Sequence, residues 1–209
     1  MSISAEIVRQ LREETGAGMM DCKGALVAAQ GDMEKARDLL RKKGLAAAQK
    51  RASRTASEGQ IGAYIHPGAK VGVLVEVNCE TDFVAKTPEF QALVKDVAMH
   101  VAAASPAAAQ YVSKDEVPAA VLEKEKEIYR AQAAAQGKPA NVVDRIAEGK
   151  VKEYYSTFCL LEQPFVKDPK LTVGQLVQEK IAVIKENIVI RRFSRYRLGE
   201  ESGTKAATE

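Results

Sequence analysis

Few residues of this chain could do covalent chemistry, and their spacing argues against most of it. Two histidines, His66 and His100, and three cysteines, Cys22, Cys79 and Cys159, are scattered over 209 residues. Neither set shows the short paired spacing of a zinc site, so no metal is expected. Gly16-Ala17-Gly18 opens like a dinucleotide-binding turn, but Asp21 stands where a third glycine belongs and no strand precedes it. Gly68-Ala69-Lys70 lacks the Gly-Lys-Ser/Thr end of a phosphate-cradling loop. Cys79 with His66 stays open as a nucleophile pair, although a buried structural cysteine is the commoner outcome. With no catalytic set and no cofactor motif, the expectation is a binding protein, not an enzyme, with no cofactor. What the chain does offer is Thr81-Asp82-Phe83-Val84 directly after a strand-like run. A loop there projects from a rigid support. The residues alone leave Phe83 open between that role and an ordinary core aromatic closing the sheet.

The elements that must position these groups begin with three short helices. Ser4 caps the first, Ile7, Val8 and Leu11 share one face, and Gly16 stops it. Cys22, Ala25, Leu26 and Ala29 give the second helix its stripe. Gly31 ends it, Asp32 caps the third, and Met33, Ala36, Leu39 and Leu40 form the third helix's inner face up to a stop at Gly44. From Leu45 to Ser57 an Ala-, Lys- and Arg-rich stretch reads as a basic connector. The period then changes to two. Ile61, Ala63 and Ile65 are read as the inner face of one strand, and Val71, Val73, Val75, Val77 and Cys79 as that of the next, joined at Pro67-Gly68-Ala69-Lys70. Thr87 and Pro88 open a helix with the stripe Phe90, Leu93, Val94, Val97, Ala98 and Val101. His100 lies at the edge of that stripe and reads as structural. Two helices over 118–135 and 139–160 read as an antiparallel hairpin. Thr172 caps a last helix with Val173, Leu176, Val177, Ile181 and Ile184 inward, and Ile188–Leu198 alternates as a third strand.

The predicted fold is therefore α+β. An N-terminal three-helix bundle and connector (1–54), like ubiquitin-associated domains, precedes a core of small antiparallel sheet flanked by helices (55–199), and a flexible tail follows (200–209). The chain is 46% hydrophobic and 28% charged with a net charge of +3. That balance suits a globular domain and is too mild for a dedicated nucleic-acid binder. No apolar run reaches the length of a membrane span, and the start has no signal-peptide pattern. Three widely spaced cysteines argue against a disulfide framework and for a reducing, cytoplasmic setting.

Two long segments carry a resemblance. Thr15-Gly16-Ala17-Gly18-Met19-Met20-Asp21-Cys22-Lys23 and Val75-Glu76-Val77-Asn78-Cys79-Glu80-Thr81-Asp82-Phe83-Val84-Ala85 resemble the N-terminal and central signatures of the elongation factor Ts family. Gln163-Pro164-Phe165-Val166, Thr172-Val173-Gly174-Gln175-Leu176 and Arg191-Arg192-Phe193 resemble it too, so the likeness runs almost to Gly199. Longer members carry two sheet subdomains and a coiled-coil insertion, and this chain has room for one sheet, as in the short bacterial type. The resemblance implies a guanine-nucleotide exchange factor for elongation factor Tu, active in translation elongation. It implies partner contact through Thr81, Asp82, Phe83 and Val84 at the GTPase's magnesium and phosphate region, with Phe83 as a wedge. Docking is implied at Arg12, at Met19 and Met20 in a loop between helices (one of the pair packed inward), and at His66. It also implies a homodimer, for which the last strand offers an edge.

The rival expectation is an RNA-binding or ribosome-associated module. Arg191, Arg192, Arg195 and Arg197, with Lys50, Arg51 and Arg54, would form its basic surface, and Phe193 and Tyr196 would stack on bases. Charges alternating along a strand are more often its solvated face, and no direct nucleic-acid contact is expected.

Overall fold

A computed structural model of the chain describes residues 3–200. Residues 201–209, nearly all of the expected tail, lie outside them. The fold is α+β, as expected. The chain runs α1 (Ala5–Thr15), α2 (Met19–Ala28), α3 (Met33–Arg51), β1 (Glu58–Ile65), β2 (Val71–Cys79), α4 (Asp82–Ala85), α5 (Pro88–Ala103), α6 (Ala119–Ala135), α7 (Ala140–Phe158), β3 (Pro164–Phe165), β4 (Asp168–Thr172), α8 (Val173–Ile184) and β5 (Ile188–Arg197).

The helix starts follow their caps. The Ser4 hydroxyl accepts from the Ile7 N–H, Asp32 from Lys35, and Thr87 from Phe90 with Pro88 in the first turn. At Thr172 a full capping box forms, with Gln175 reaching back to the Thr172 N–H. Gly16 ends α1 in the left-handed region at φ 66°, where a side chain would be strained. Val8, Leu11, Cys22, Ala25, Leu26, Ala29 and Ala36 close into the bundle's own small core. Leu39 departs from the expected inner face and is exposed.

Gly44 does not stop α3. The helix runs on through the expected connector to Arg51, so Ala36 packs in the bundle core and Ala48, three turns later, in the main core. The reason for a glycine is proximity: a Cβ at Gly44 would sit 2.8 Å from the Cβ of Ala182 on α8. Helix α3 crosses α8 there, and the Arg41–Glu179 ion pair spans the crossing at 3.8 Å.

The sheet has the order β1-β2-β5, antiparallel throughout, with β2 in the middle. Helix α5 covers its inner face, where Val73, Val75, Val77 and Cys79 meet Phe90, Leu93, Val94 and Val97. The face expected for β1 is reversed. Tyr64 pairs with Val73, Gly62 with Val75 and Gln60 with Val77, so Ile61, Ala63 and Ile65 point to solvent. Gly62 sits under Val94 of α5, and only a residue without a Cβ lets the helix lie that close. In β5, Ile188 and Ile190 face inward, Arg191 is an unpaired extra residue opposite the Glu76–Val77 step, and Phe193 and Arg195 take over the inner face.

Helices α6 and α7 form the expected antiparallel hairpin, tied by Arg130 Nε to Asp144 at 2.8 Å. At its base, Val117, Tyr154 and Cys159 make a third small core. His100 is fully buried, as its structural reading required. Its Nδ1 accepts from the Val166 N–H at 3.1 Å, which leaves Nε2 to donate to Gln163 Oε1 at 2.9 Å. Gln163 in turn donates to the carbonyls of Ala107 and Thr157. This bridge joins α5, the hairpin base and β3.

Candidate functional site

Strand β2 ends at Cys79 and the chain turns at once into α4. The segment expected to be a loop is a single helical turn, because Thr81 caps it: the Thr81 hydroxyl accepts from the Val84 N–H at 3.3 Å. The turn is held from several sides. Glu186, 105 residues further along the chain, accepts from the Thr81 hydroxyl at 2.7 Å, the Thr81 N–H at 3.0 Å and the Glu80 N–H at 3.1 Å. The Cys79 thiol donates to the Thr81 carbonyl at 3.1 Å. Val84 and Ala85 pack against the main core, and the Thr87 hydroxyl donates to the Val84 carbonyl. Neither Glu186 nor the Asn187 beside it stood out in the sequence, because their partners lie so far away in it.

What this leaves outside is Asp82 and Phe83. Phe83 is 79% exposed, the most exposed large apolar side chain among the described residues. That excludes the core reading of Phe83. Asp82 bonds Lys86 Nζ at 2.7 Å, and this contact holds its carboxyl below the usual range and raises Lys86. A large apolar ring is thus displayed in solvent on a firmly anchored turn, while Val84 one residue on packs against the main core.

Met19 and Met20 form the first turn of α2 and not a loop. Both are exposed, Met20 at 76%, so the expectation that one packs inward fails: Cys22, Ala25 and Leu26 already fill that side. Val27 is exposed two turns on from Met20, and a Cβ at Gly24 between them would meet nothing within 4 Å. Met20, Gly24 and Val27 therefore make a flat, solvent-facing stripe that the sequence reading did not pick out. Arg12 is exposed on α1 and lines a groove with Gly16, Lys180, Val183 and Glu89, the last in the first turn of α5. His66 sits at the hairpin tip, with its Nδ1 3.2 Å from the Tyr64 hydroxyl.

Cys79 and His66 lie at opposite ends of the β1–β2 hairpin and are not brought together. Cys79 is buried with its thiol pushed up to about 11, by burial first and by the Glu186 carboxylate second, while His66 is exposed and bonded to Tyr64. Such a thiol is no nucleophile. No group of three His, Cys, Asp or Glu that could hold a metal occurs among the described residues. No helix of the described residues is long and apolar enough to cross a membrane. A cavity of about 620 Å³ between the bundle and α8 is bordered by ion pairs, Lys43–Asp21 and Arg41–Glu179 among them. Of the arginines that would serve RNA, Arg192 bonds Glu76 at 2.6 Å, Arg195 bonds Glu200 at 2.8 Å with its side chain only 9% exposed, and Arg54 pairs with Glu80. Phe193 packs on the core and is not free to stack.

The sequence model of the family described as Elongation factor TS matches residues 33–200. A protein of Caldanaerobacter subterraneus subsp. tengcongensis, named Elongation factor Ts, is 62% identical over 198 residues, covering 95% of this chain and 98% of its own. The protein of that name from Geobacter sulfurreducens is 60% identical over 200 residues, covering 96% and 91%. The one from Carboxydothermus hydrogenoformans is 59% identical over 198 residues, covering 95% and 90%. Identity of that order along nearly the whole length, with the anchored turn inside the matched residues 33–200, places this chain in the elongation factor Ts family, among the factors of translation elongation.

Proposed function

We propose that the chain speeds GDP release from elongation factor Tu, with Phe83 as the wedge. The observation that carries this is the contrast within one turn: Thr81 and Val84 are tied down, and Phe83 between them is left in solvent. A GTPase holds GDP through a phosphate-cradling loop and a magnesium ion, so release requires loosening those contacts. Phe83 enters an apolar pocket of the GTPase near that ion, and Asp82, leaving Lys86, competes for the groups that hold it. The factor binds the nucleotide-free GTPase more tightly than the GDP-bound one, and this difference drives the release. No bond is made or broken, so the activity is not that of an enzyme.

The bundle (1–54) docks through Arg12, Met19 and Met20, with Val27 and the open backbone at Gly24 extending that surface. Methionines adapt well to an irregular apolar surface. His66 makes a lesser contact from the tip of the hairpin in the core unit (55–199). A second copy pairs at the open β5 edge and covers the outer face of the sheet, where Ile61 and Ile65 of β1, Leu74 of β2 and Tyr196 of β5 are all exposed. The setting is the cytoplasm, where the GTPase is.

The test is release of fluorescent GDP from elongation factor Tu with catalytic amounts of the chain. Burying the exposed part of a phenyl side chain is worth about 3 kcal/mol, so Phe83→Ala should slow the stimulated rate by roughly a hundredfold. Its melting temperature should stay put. Full activity in Phe83→Ala, or no stimulation by the intact chain, would overturn the proposal.

A further inference from the structure

From the geometry we infer that Glu186 is a positioning residue for nucleotide exchange: it fixes the aim of Phe83 from the junction of α8 and β5. The inference rests on the wedge reading above. Glu186 touches neither Phe83 nor, in this reading, the partner's nucleotide, and it acts through Thr81.

Helix α8 ends at Ile184 and is capped by Lys185, whose φ of 69° lies in the left-handed region that non-glycine residues rarely enter. That turn swings Glu186 across to the end of β2. Its two carboxylate oxygens then take all three donors of the turn's base. Oε2 accepts the Glu80 and Thr81 N–H groups, and Oε1 accepts the Thr81 hydroxyl. The hydroxyl is thereby oriented with its lone pair toward the Val84 N–H, which it caps. A chain of bonds thus runs from Glu186 through Thr81 to Val84, and Asp82 and Phe83 are the two residues it encloses. Charge-assisted bonds of this kind are the stronger ones and hold direction well.

A reciprocal pair backs the clamp. Glu80 Oε1 accepts the Asn187 N–H at 2.6 Å, and Asn187 Nδ2 donates to the Arg54 carbonyl at 2.7 Å. Arg54 lies just past α3, the helix that carries the bundle, and its guanidinium reaches Glu80. The base of the Phe83 turn is therefore tied at one point to the core and to the end of the docking unit. If the turn only needed to exist, the Thr81 cap and the packing of Val84 would suffice. The three added bonds from Glu186 restrict how far it can rock, and a wedge that rocks delivers its contact to the partner less often.

The experiment uses the full chain and elongation factor Tu loaded with fluorescent GDP. Stimulated release is measured against factor concentration for the unaltered chain and for Glu186→Ala, Glu186→Gln and Phe83→Ala. Amide exchange at Glu80, Thr81 and Val84 is followed in the free proteins, with a thermal scan as the folding control. Glu186→Ala should lower the maximal stimulated rate roughly tenfold, the equivalent of one lost charge-assisted bond. The half-saturating concentration should shift far less, and the three amides should exchange faster. Glu186→Gln keeps an acceptor for the backbone donors and should recover most of the rate; if the alanine variant does not fold, Glu186→Asp, whose carboxylate falls one methylene short of the three donors, takes its place and should lower the maximal rate in the same way. An unchanged maximal rate in Glu186→Ala beside a crippled Phe83→Ala refutes the positioning role and leaves the wedge standing. A shift confined to the half-saturating concentration also refutes it, since that marks a docking residue. Full activity in Phe83→Ala removes the wedge, and with it the inference. Amide protection unchanged in both Glu186 variants overturns the clamp whatever the rates show.

Discussion

The substitution Gly44→Ala sets two opposed effects against each other at the joint between α3 and α8. In an exposed helix interior, alanine in place of glycine stabilises by about 1 kcal/mol. At Gly44 the new Cβ would lie 2.8 Å from Ala182 Cβ, whereas two aliphatic carbons rest at about 3.5–4.0 Å. The helices must therefore part by about 1 Å. They cannot do so freely, because Ala48 one turn on is buried in the main core and Arg41 is paired to Glu179. Overpacking of this kind costs about 1–3 kcal/mol, which leaves a net loss of about 1 kcal/mol. For a chain of this size the midpoint should fall by about 2–4 °C. Gly149 provides the contrast: it lies mid-α7 with nothing within 4 Å of its would-be Cβ. Gly149→Ala should raise the midpoint by a similar amount. Thermal unfolding followed by circular dichroism reads both, and adding Ala182→Gly to Gly44→Ala should restore most of the loss. If Gly44→Ala stabilises as much as Gly149→Ala, the close crossing of α3 and α8 is refuted.

Three further predictions follow from other parts of the fold. Gly24→Ala should stabilise the free protein by about 1 kcal/mol while weakening nucleotide exchange at limiting factor, because its backbone is open to a partner; unchanged exchange would remove Gly24 from the docking surface. Burial lowers the His100 pKa below its usual 6.5, outweighing the Gln163 bond. The unfolded chain then takes up the proton first, so this stability is complete above pH 6.5 and erodes as pH falls below it, at a slope of up to about 1.4 kcal/mol per unit. Urea unfolding between pH 7.5 and 5.5 should show that slope, and His100→Gln should flatten it. Leu74→Glu, on the uncovered sheet face, should convert a dimer to a monomer in sedimentation at micromolar concentration with the fold intact; a dimer that survives would move the contact elsewhere.

Where a local rule decides the structure, the sequence sufficed. Ser4, Asp32, Thr87 and Thr172 start the helices they were expected to start, since a cap needs only its next three residues. Gly16 and Gly44 show where local rules end. The first turns the chain at positive φ, the second makes room for Ala182, and nothing within α3 distinguishes the two uses. The reversed face of β1 has the same origin. Ile61, Ala63 and Ile65 are the apolar set, but the pairing to β2 and the approach of Val94 at Gly62 decide which side is inner. At the candidate site the motif residues were legible as a string. Their division of labour was not, because it depends on Glu186 and Asn187 arriving from the other end of the fold.

The bulge in β5 has a genetic reading. Arg191 is the residue in excess: with Ile188 and Ile190 inside before it and Phe193 and Arg195 inside after it, the strand carries two neighbouring outward side chains where a plain ladder allows one. Losing the Arg191 codon would therefore leave every remaining side chain on its own face. Losing the Ser194 codon would turn Arg195 outward and bring Tyr196 in against the core. In a scan of single-codon deletions along this strand, tolerance should be centred on the bulge and should end within three residues of it.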